Sequence, residues 1–84
     1  MEYRRKRHYP ARISSLGDLI RAARLDVQKT QSWLARQMNI KQSTVSLWEV
    51  RGVIPKARHL AQVSALLRLP PGEVDRLSRP DRRP

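Results

Sequence analysis

Apolar residues recur along most of the chain at spacings of three and four, which is the period of an amphipathic helix. The first stripe consists of Leu16, Leu19, Ile20, Ala23 and Val27. It predicts a helix that begins near Ser15, whose hydroxyl can cap free backbone amides, and that ends near Leu25 or Asp26. No segment shows the alternation typical of a strand, so the pattern predicts an all-α fold.

Two further helices, joined by a tight turn, are predicted within residues 30–55. Their inward-facing residues are Leu34, Ala35 and Met38, then Ile40 at the corner, then Val45 and Trp48. Thr30 is placed to cap the first of these helices, and Asn39 tolerates the left-handed conformation that a sharp turn requires. The second of them is predicted over residues 41–50.

The outward face of the helix at residues 41–50 has amide and hydroxyl side chains and no acidic group. It carries Lys41, Gln42, Ser43, Ser46 and Leu47. In the major groove of DNA each base pair displays its own pattern of donors and acceptors, and the groove admits one α-helix. This face of a positively charged domain therefore suits the major groove.

The chain after residue 50 predicts two more helices. Gly52 supplies the positive φ that ends a helix, and Pro55 suits the entrance of the next one. A fourth helix over about residues 56–67 would bury Leu60, Val63, Leu66 and Leu67. A short fifth helix over about residues 72–77 would add Val74 and Leu77 to the core.

Trp33 does not fit the inward stripe, because it lies on the side of its helix away from Leu34 and Met38. An exposed tryptophan indicates packing against another segment, such as a basic arm, or against a second subunit or protein partner. The alternative is partial burial on the surface of its own helix, beside Gln37.

Charge is the strongest global feature of the composition. The 84 residues contain 18 Lys and Arg against 7 Asp and Glu, which gives a net charge of +11. Such an excess costs self-repulsion and indicates a polyanionic partner, and 14 of the 18 cations are Arg, which forks onto phosphates and guanine edges. We expect double-stranded DNA rather than an anionic membrane or an acidic protein.

The composition also excludes several classes of protein. There is no cysteine, and the two histidines are isolated, so we expect neither a metal nor another cofactor. No paired carboxylates, nucleophile–base set or phosphate-cradling loop appears, so we do not expect an enzyme. No apolar run is long enough to span a bilayer and no signal-peptide pattern opens the chain, so we expect a cytoplasmic, nucleoid-associated protein.

The two ends of the chain differ from its middle, and we predict three regions. Residues 1–14 would form a flexible basic arm, residues 15–77 the folded domain, and residues 78–84 a disordered tail rich in Arg and Pro. The arm contains Arg4, Arg5, Lys6, Arg7 and Arg12. It either follows phosphates or a minor groove, or it is a solvated leader that raises the local charge.

Three motifs lie within residues 16–77: Leu16…Ile20…Arg24, then Thr30-Gln31-x-x-Leu34-Ala35, then Gln42-Ser43-Thr44-Val45-Ser46-x-Trp48-Glu49 with Pro55 beyond. Together they resemble the Cro/C1-type (Xre) helix-turn-helix family of phage and bacterial regulators. The resemblance implies a compact five-helix, lambda-repressor-like domain whose helix-turn-helix is formed by its second and third helices. It also implies a sequence-specific DNA-binding transcriptional regulator, with a repressor or Cro-like role and a homodimer on DNA.

The resemblance implies roles for individual positions. Base contacts would come from Gln42, Ser43, Ser46 and Leu47, and phosphate contacts from Gln31, Lys41, Arg51, Lys56, Arg58 and the arm residues Arg4, Arg5, Lys6 and Arg7. Gln31 would also brace Gln42, whose amide can pair with adenine through two hydrogen bonds. Arg24 and Glu49 would form an internal salt bridge that orients the recognition helix.

The chain departs from the family pattern at several positions. Gln28-Lys29 replaces the usual Gly-Leu, so the missing leucine contact must come from Val27 or be lost. Lys41 replaces a Ser or Thr cap, a loss of about 1 kcal/mol. Leu47 stands where a polar residue is common, and it either meets a thymine methyl group or makes no contact.

Two alternatives remain open at this stage. The exit Val50-Arg51-Gly52 also resembles excisionase and MerR-like winged proteins, which are architectural DNA-binding factors and need a β-hairpin wing after the proline. The other alternative is the antitoxin or adaptor component of a protein pair, which would hold its partner through Trp33. A fourth helix in place of the wing separates the first alternative from the helix-turn-helix regulator.

Overall fold

The computed structural model describes residues 12–78 of the chain. Five helices follow one another: α1 (Leu16–Asp26), α2 (Gln31–Met38), α3 (Gln42–Val50), α4 (Ala57–Leu67) and α5 (Pro71–Ser78). The part that is described contains no strand, and the predicted all-α, five-helix fold is confirmed. The arm cations Arg4, Arg5, Lys6 and Arg7 and most of the predicted tail lie outside the described residues.

Two of the helices begin where a side chain satisfies one of the first free amides. The Ser15 hydroxyl accepts a hydrogen bond from the Asp18 amide at 3.1 Å, and the Thr30 hydroxyl accepts one from the Trp33 amide at 2.9 Å. Lys41, which precedes α3, makes no such side-chain hydrogen bond. The start of α3 therefore lacks the capping stabilisation of about 1 kcal/mol that α1 and α2 have.

Within residues 12–78, four helices are followed within two residues by a residue in the left-handed conformation, and one of these four residues is glycine. They are Gln28, Asn39, Gly52 and Arg68, with φ between 54° and 74°. After each, the next amide reaches back to a carbonyl of the preceding helix, for example from Ile40 to Ala35 at 3.0 Å. The left-handed turn thus satisfies carbonyls that the helix end leaves free.

The core lies between α1, α2, α3 and α4. Its buried residues are Leu16, Leu19, Ile20, Leu34, Ala35, Met38, Val45, Trp48, Val63, Leu67 and Leu69. The first and third helices approach each other very closely at Gly17, where a Cβ atom would lie 1.8 Å from the Trp48 carbonyl oxygen. This contact sets the position of α3, whose outward face carries the candidate site.

Two core assignments made from periodicity are wrong, and one buried residue was not predicted. Val27 is 49% exposed, because it follows the last turn of α1 and leaves the inward stripe, so it does not replace the missing leucine. Leu66 is 38% exposed, since Val63 and Leu67 define the inward line of α4. Leu69 is buried in its place, because the left-handed turn at Arg68 directs the chain back over the core.

The segment after Pro55 distinguishes two of the architectures considered from the sequence. It forms α4, whereas a winged protein needs a β-hairpin there, and no strand occurs within residues 12–78. The excisionase or MerR-like architecture is therefore wrong for this chain. Among the helices that are described, none is long and apolar enough to cross a membrane.

Candidate nucleic-acid interface

One side of α3 packs on the core and the other side is open. Val45 and Trp48 are buried, whereas Gln42, Ser43 and Leu47 are exposed. The open side forms a shallow surface concavity lined by Gln42, Ser43, Ser46, Leu47, Val50 and Arg51. The four residues predicted to contact bases therefore share one continuous surface.

A buried ion pair fixes α3 to α1. The Arg24 guanidinium donates to the Glu49 carboxylate through Nε at 2.8 Å and through Nη2 at 2.7 Å. Its Nη1 donates to the Lys29 carbonyl at 2.7 Å, so the same side chain also holds the segment between α1 and α2. Both side chains are almost fully buried, and removing either partner would leave an uncompensated charge.

The ion pair continues into two glutamine side chains. Gln31 Nε2 donates to Glu49 Oε1 at 3.1 Å, and Gln42 Nε2 donates to Gln31 Oε1 at 3.3 Å. The first residues of α2 and α3 are therefore linked to the internal salt bridge. This arrangement brings together a residue predicted to contact phosphate and the residue predicted to read a base.

Sequence reasoning did not identify two residues of this surface. The Ser32 hydroxyl donates to Gln42 Oε1 at 2.8 Å, so α2 holds the Gln42 amide through a second hydrogen bond. Val50 lines the concavity and is 64% exposed. A serine beside a helix cap or a valine near a helix end gives no functional signal in the sequence. The contact of Ser32 with Gln42 becomes visible only when the positions of α2 and α3 are known.

Four of the predicted phosphate-binding cations lie within residues 12–78, at helix ends, and these four are exposed. Lys41 precedes α3 and Arg51 follows it, while Lys56 and Arg58 lie at the start of α4, outside the concavity. Between residues 27 and 72 the only acidic residue is Glu49, which is buried, against seven Lys and Arg. An anion would meet exposed cations here, close to the N-termini of α3 and α4.

Trp33 is half-buried and packs against the core, which agrees with the alternative of partial burial that the sequence left open. The Lys29 ammonium lies 5.2 Å from the centre of its ring, a distance at which a cation attracts the ring face. Lys29 occupies the position of the family's leucine, and its side chain reaches this tryptophan instead. A protein partner at Trp33 stays a prediction.

Within the described residues there is no cluster of His, Cys, Asp and Glu that could hold a metal ion. His59 packs instead against Trp48, with ring centres 5.8 Å apart and planes tilted by 49°. This contact connects α4 to the inward face of α3.

A helix-turn-helix family model matches residues 20–74, which span α2, α3 and α4, the last seven residues of α1 and the first four of α5. No curated protein and no solved structure matches the chain.

Proposed function

The chain belongs to the Cro/C1-type helix-turn-helix family of DNA-binding regulators, and from this premise we propose that it recognises an operator sequence by placing α3 in the major groove. The observation that carries the proposal is the outward face of α3. It presents an amide, hydroxyls and an apolar side chain on one surface, with no exposed acidic group between residues 27 and 72.

Gln42 is the principal base-reading residue in this proposal. The major-groove edge of adenine offers one acceptor and one donor, which an amide matches with two hydrogen bonds. Ser43 and Ser46 are close enough along the same surface to contact neighbouring bases or phosphates. Leu47 is 44% exposed there and suits the methyl group of thymine.

Phosphate contacts supply most of the affinity in this proposal. Gln31 donates only one of its two amide hydrogens to Glu49, so the other is available to a phosphate beside the start of α2. The remaining contacts would come from the cations Lys41, Arg51, Lys56 and Arg58 and from the arm. The contribution of such contacts to the affinity depends strongly on salt concentration and does not depend on the DNA sequence.

In this proposal the protein is a homodimer that represses transcription by occluding its operator. It would act in the cytoplasm, on the nucleoid, and it would not be an enzyme. One recognition helix contacts only a few base pairs, so useful specificity needs two half-sites. Two subunits related by a two-fold axis would place their α3 helices in successive major grooves about 34 Å apart.

A binding-site selection with the purified protein tests this proposal. We expect an enriched site with two inverted half-sites one helical turn apart, and we expect Gln42→Ala to weaken binding to that site by about 1–3 kcal/mol with random DNA nearly unaffected. The matched control is Gln62→Ala, which removes an exposed glutamine from α4. Equal losses on operator and random DNA, or no enriched site, would contradict the proposal.

A further inference from the structure

Five side chains from three helices form one continuous chain of hydrogen bonds that includes the proposed base-reading residue. It begins at the Arg24–Glu49 ion pair, passes through Gln31 to Gln42, and ends at the Ser32 hydroxyl. The ion-pair end is buried and the Ser32 end is exposed. The network therefore connects the core to the surface of α3.

The chemistry of each group gives the network one direction. A carboxylate only accepts hydrogen bonds, so Gln31 must turn Nε2 toward Glu49 and its oxygen toward Gln42. Gln42 must then turn Nε2 toward Gln31, which leaves its oxygen facing Ser32. The reverse orientation of either amide would place two acceptors or two donors against each other. The buried charge of Glu49 thus determines which way the Gln42 amide points.

We propose that Ser32, together with the ion pair acting through Gln31, fixes the orientation of the Gln42 amide and so determines which base pair α3 prefers. This inference rests on the proposed function, in which Gln42 reads a base. Ser32 is a positioning residue here, since it acts through Gln42 rather than on DNA.

The fixed amide keeps the hydrogen-bonding groups that adenine needs. Gln42 donates one N–H to Gln31 and accepts one bond from Ser32, so one N–H and one oxygen lone pair remain. These match N7 and the N6 amino group of adenine. A freely rotating amide would also present the donor and acceptor in the opposite order. It would therefore tolerate other base pairs and lose more rotamer freedom on binding.

The test compares Ser32→Ala and Ser32→Thr on the selected operator and on random DNA. The base pair read by Gln42 is defined as the one whose preference is lost in Gln42→Ala. We expect Ser32→Ala to bind the operator about 3- to 10-fold more weakly, as the loss of one hydrogen bond implies, and to relax the preference at that base pair. Ser32→Thr keeps a hydroxyl and should bind as the unmodified protein does. Random DNA and thermal stability should change little in both.

The double variant Ser32→Ala/Gln42→Ala separates the explanations. We expect it to bind like Gln42→Ala alone, because Ser32 acts only through that amide. An effect of Ser32→Ala that persists without Gln42 would show a direct contact with DNA and overturn the inference. The inference also fails, while the proposed function stands, if Gln42→Ala loses a base preference and Ser32→Ala keeps it. A Gln42→Ala protein that keeps every base preference would instead overturn the proposed function.

Discussion

Leu47, like Val50, brings an apolar side chain to a surface otherwise made of an amide, hydroxyls and a cation. It lines the concavity with Gln42 and Arg51 and has 44% of its surface exposed. Exposure of a leucine there gains nothing for folding. The thymine methyl is the apolar group that the major groove offers to such a side chain.

We expect Leu47→Ala to weaken operator binding by about 1 kcal/mol, in proportion to the apolar groups that lose contact with the thymine methyl. Replacing that thymine by uracil in the operator should cost the unmodified protein about as much, because uracil lacks the methyl group. Binding isotherms on both operators measure the two losses. Leu66→Ala, which truncates an exposed leucine on α4, is the control. If the uracil replacement weakens operator binding by the Leu47→Ala variant as much as it weakens binding by the unmodified protein, Leu47 does not contact the methyl group.

Helix starts were predictable residue by residue, whereas some helix ends were not. Ser15 and Thr30 were identified correctly because a cap depends on a hydroxyl and an amide three residues away. The left-handed residues Gln28 and Arg68 were not identified, since neither is a residue type that favours this conformation. The errors at Val27, Leu66 and Leu69 all lie beside these two turns.

The packing of α1 on α3 depends on a glycine whose role is invisible in the sequence. Gly17 lies in the first turn of a helix, where alanine would normally be the better residue. Its importance arises only because the backbone of α3 crosses at this point. The crossing also aligns Arg24 with Glu49, so the same approach supports the hydrogen-bond network at the site.

We expect Gly17→Ala to lower the free energy of unfolding by about 1–3 kcal/mol or more, because the added methyl group meets the backbone at Trp48 rather than a side chain that can move. Operator affinity should also fall under conditions in which the variant is still folded, since α3 must shift. Urea denaturation and binding isotherms measure the two effects. Gly72→Ala is the control, because its methyl group would meet no atom within 4 Å. Equal stability of the two variants would contradict the close approach.

At the scale of the whole molecule, hydrophobic spacing predicted the part of the candidate site that lies on α3, but it did not predict the contacts between helices. The outward face of α3 followed from periodicity, and the family resemblance pointed to the Arg24–Glu49 pair, which the structure contains. Ser32 was missed, since its partner Gln42 lies ten residues away in the next helix. A network of this kind depends on how helices pack, which hydrophobic spacing does not specify.

Part of the chain's net charge of +11 lies in the predicted N-terminal arm. Residues 1–12 contain five cations and one acidic residue, and they precede Ser15, the cap of α1. If the arm follows phosphates, each contact adds roughly 0.9 to the slope of log K against log salt concentration. Deleting residues 1–12 should therefore weaken binding to operator and random DNA alike and reduce the slope by up to about 4.

Binding isotherms over roughly 50–200 mM salt measure that slope. A full-length variant with Arg4, Arg5, Lys6 and Arg7 changed to Gln is the matched control, because it removes charge and keeps chain length. It should reproduce most of the loss if the contacts are electrostatic. A slope that is unchanged by the deletion would mean that the arm does not touch phosphate. The salt dependence would then come from the cations at the ends of α3 and at the start of α4.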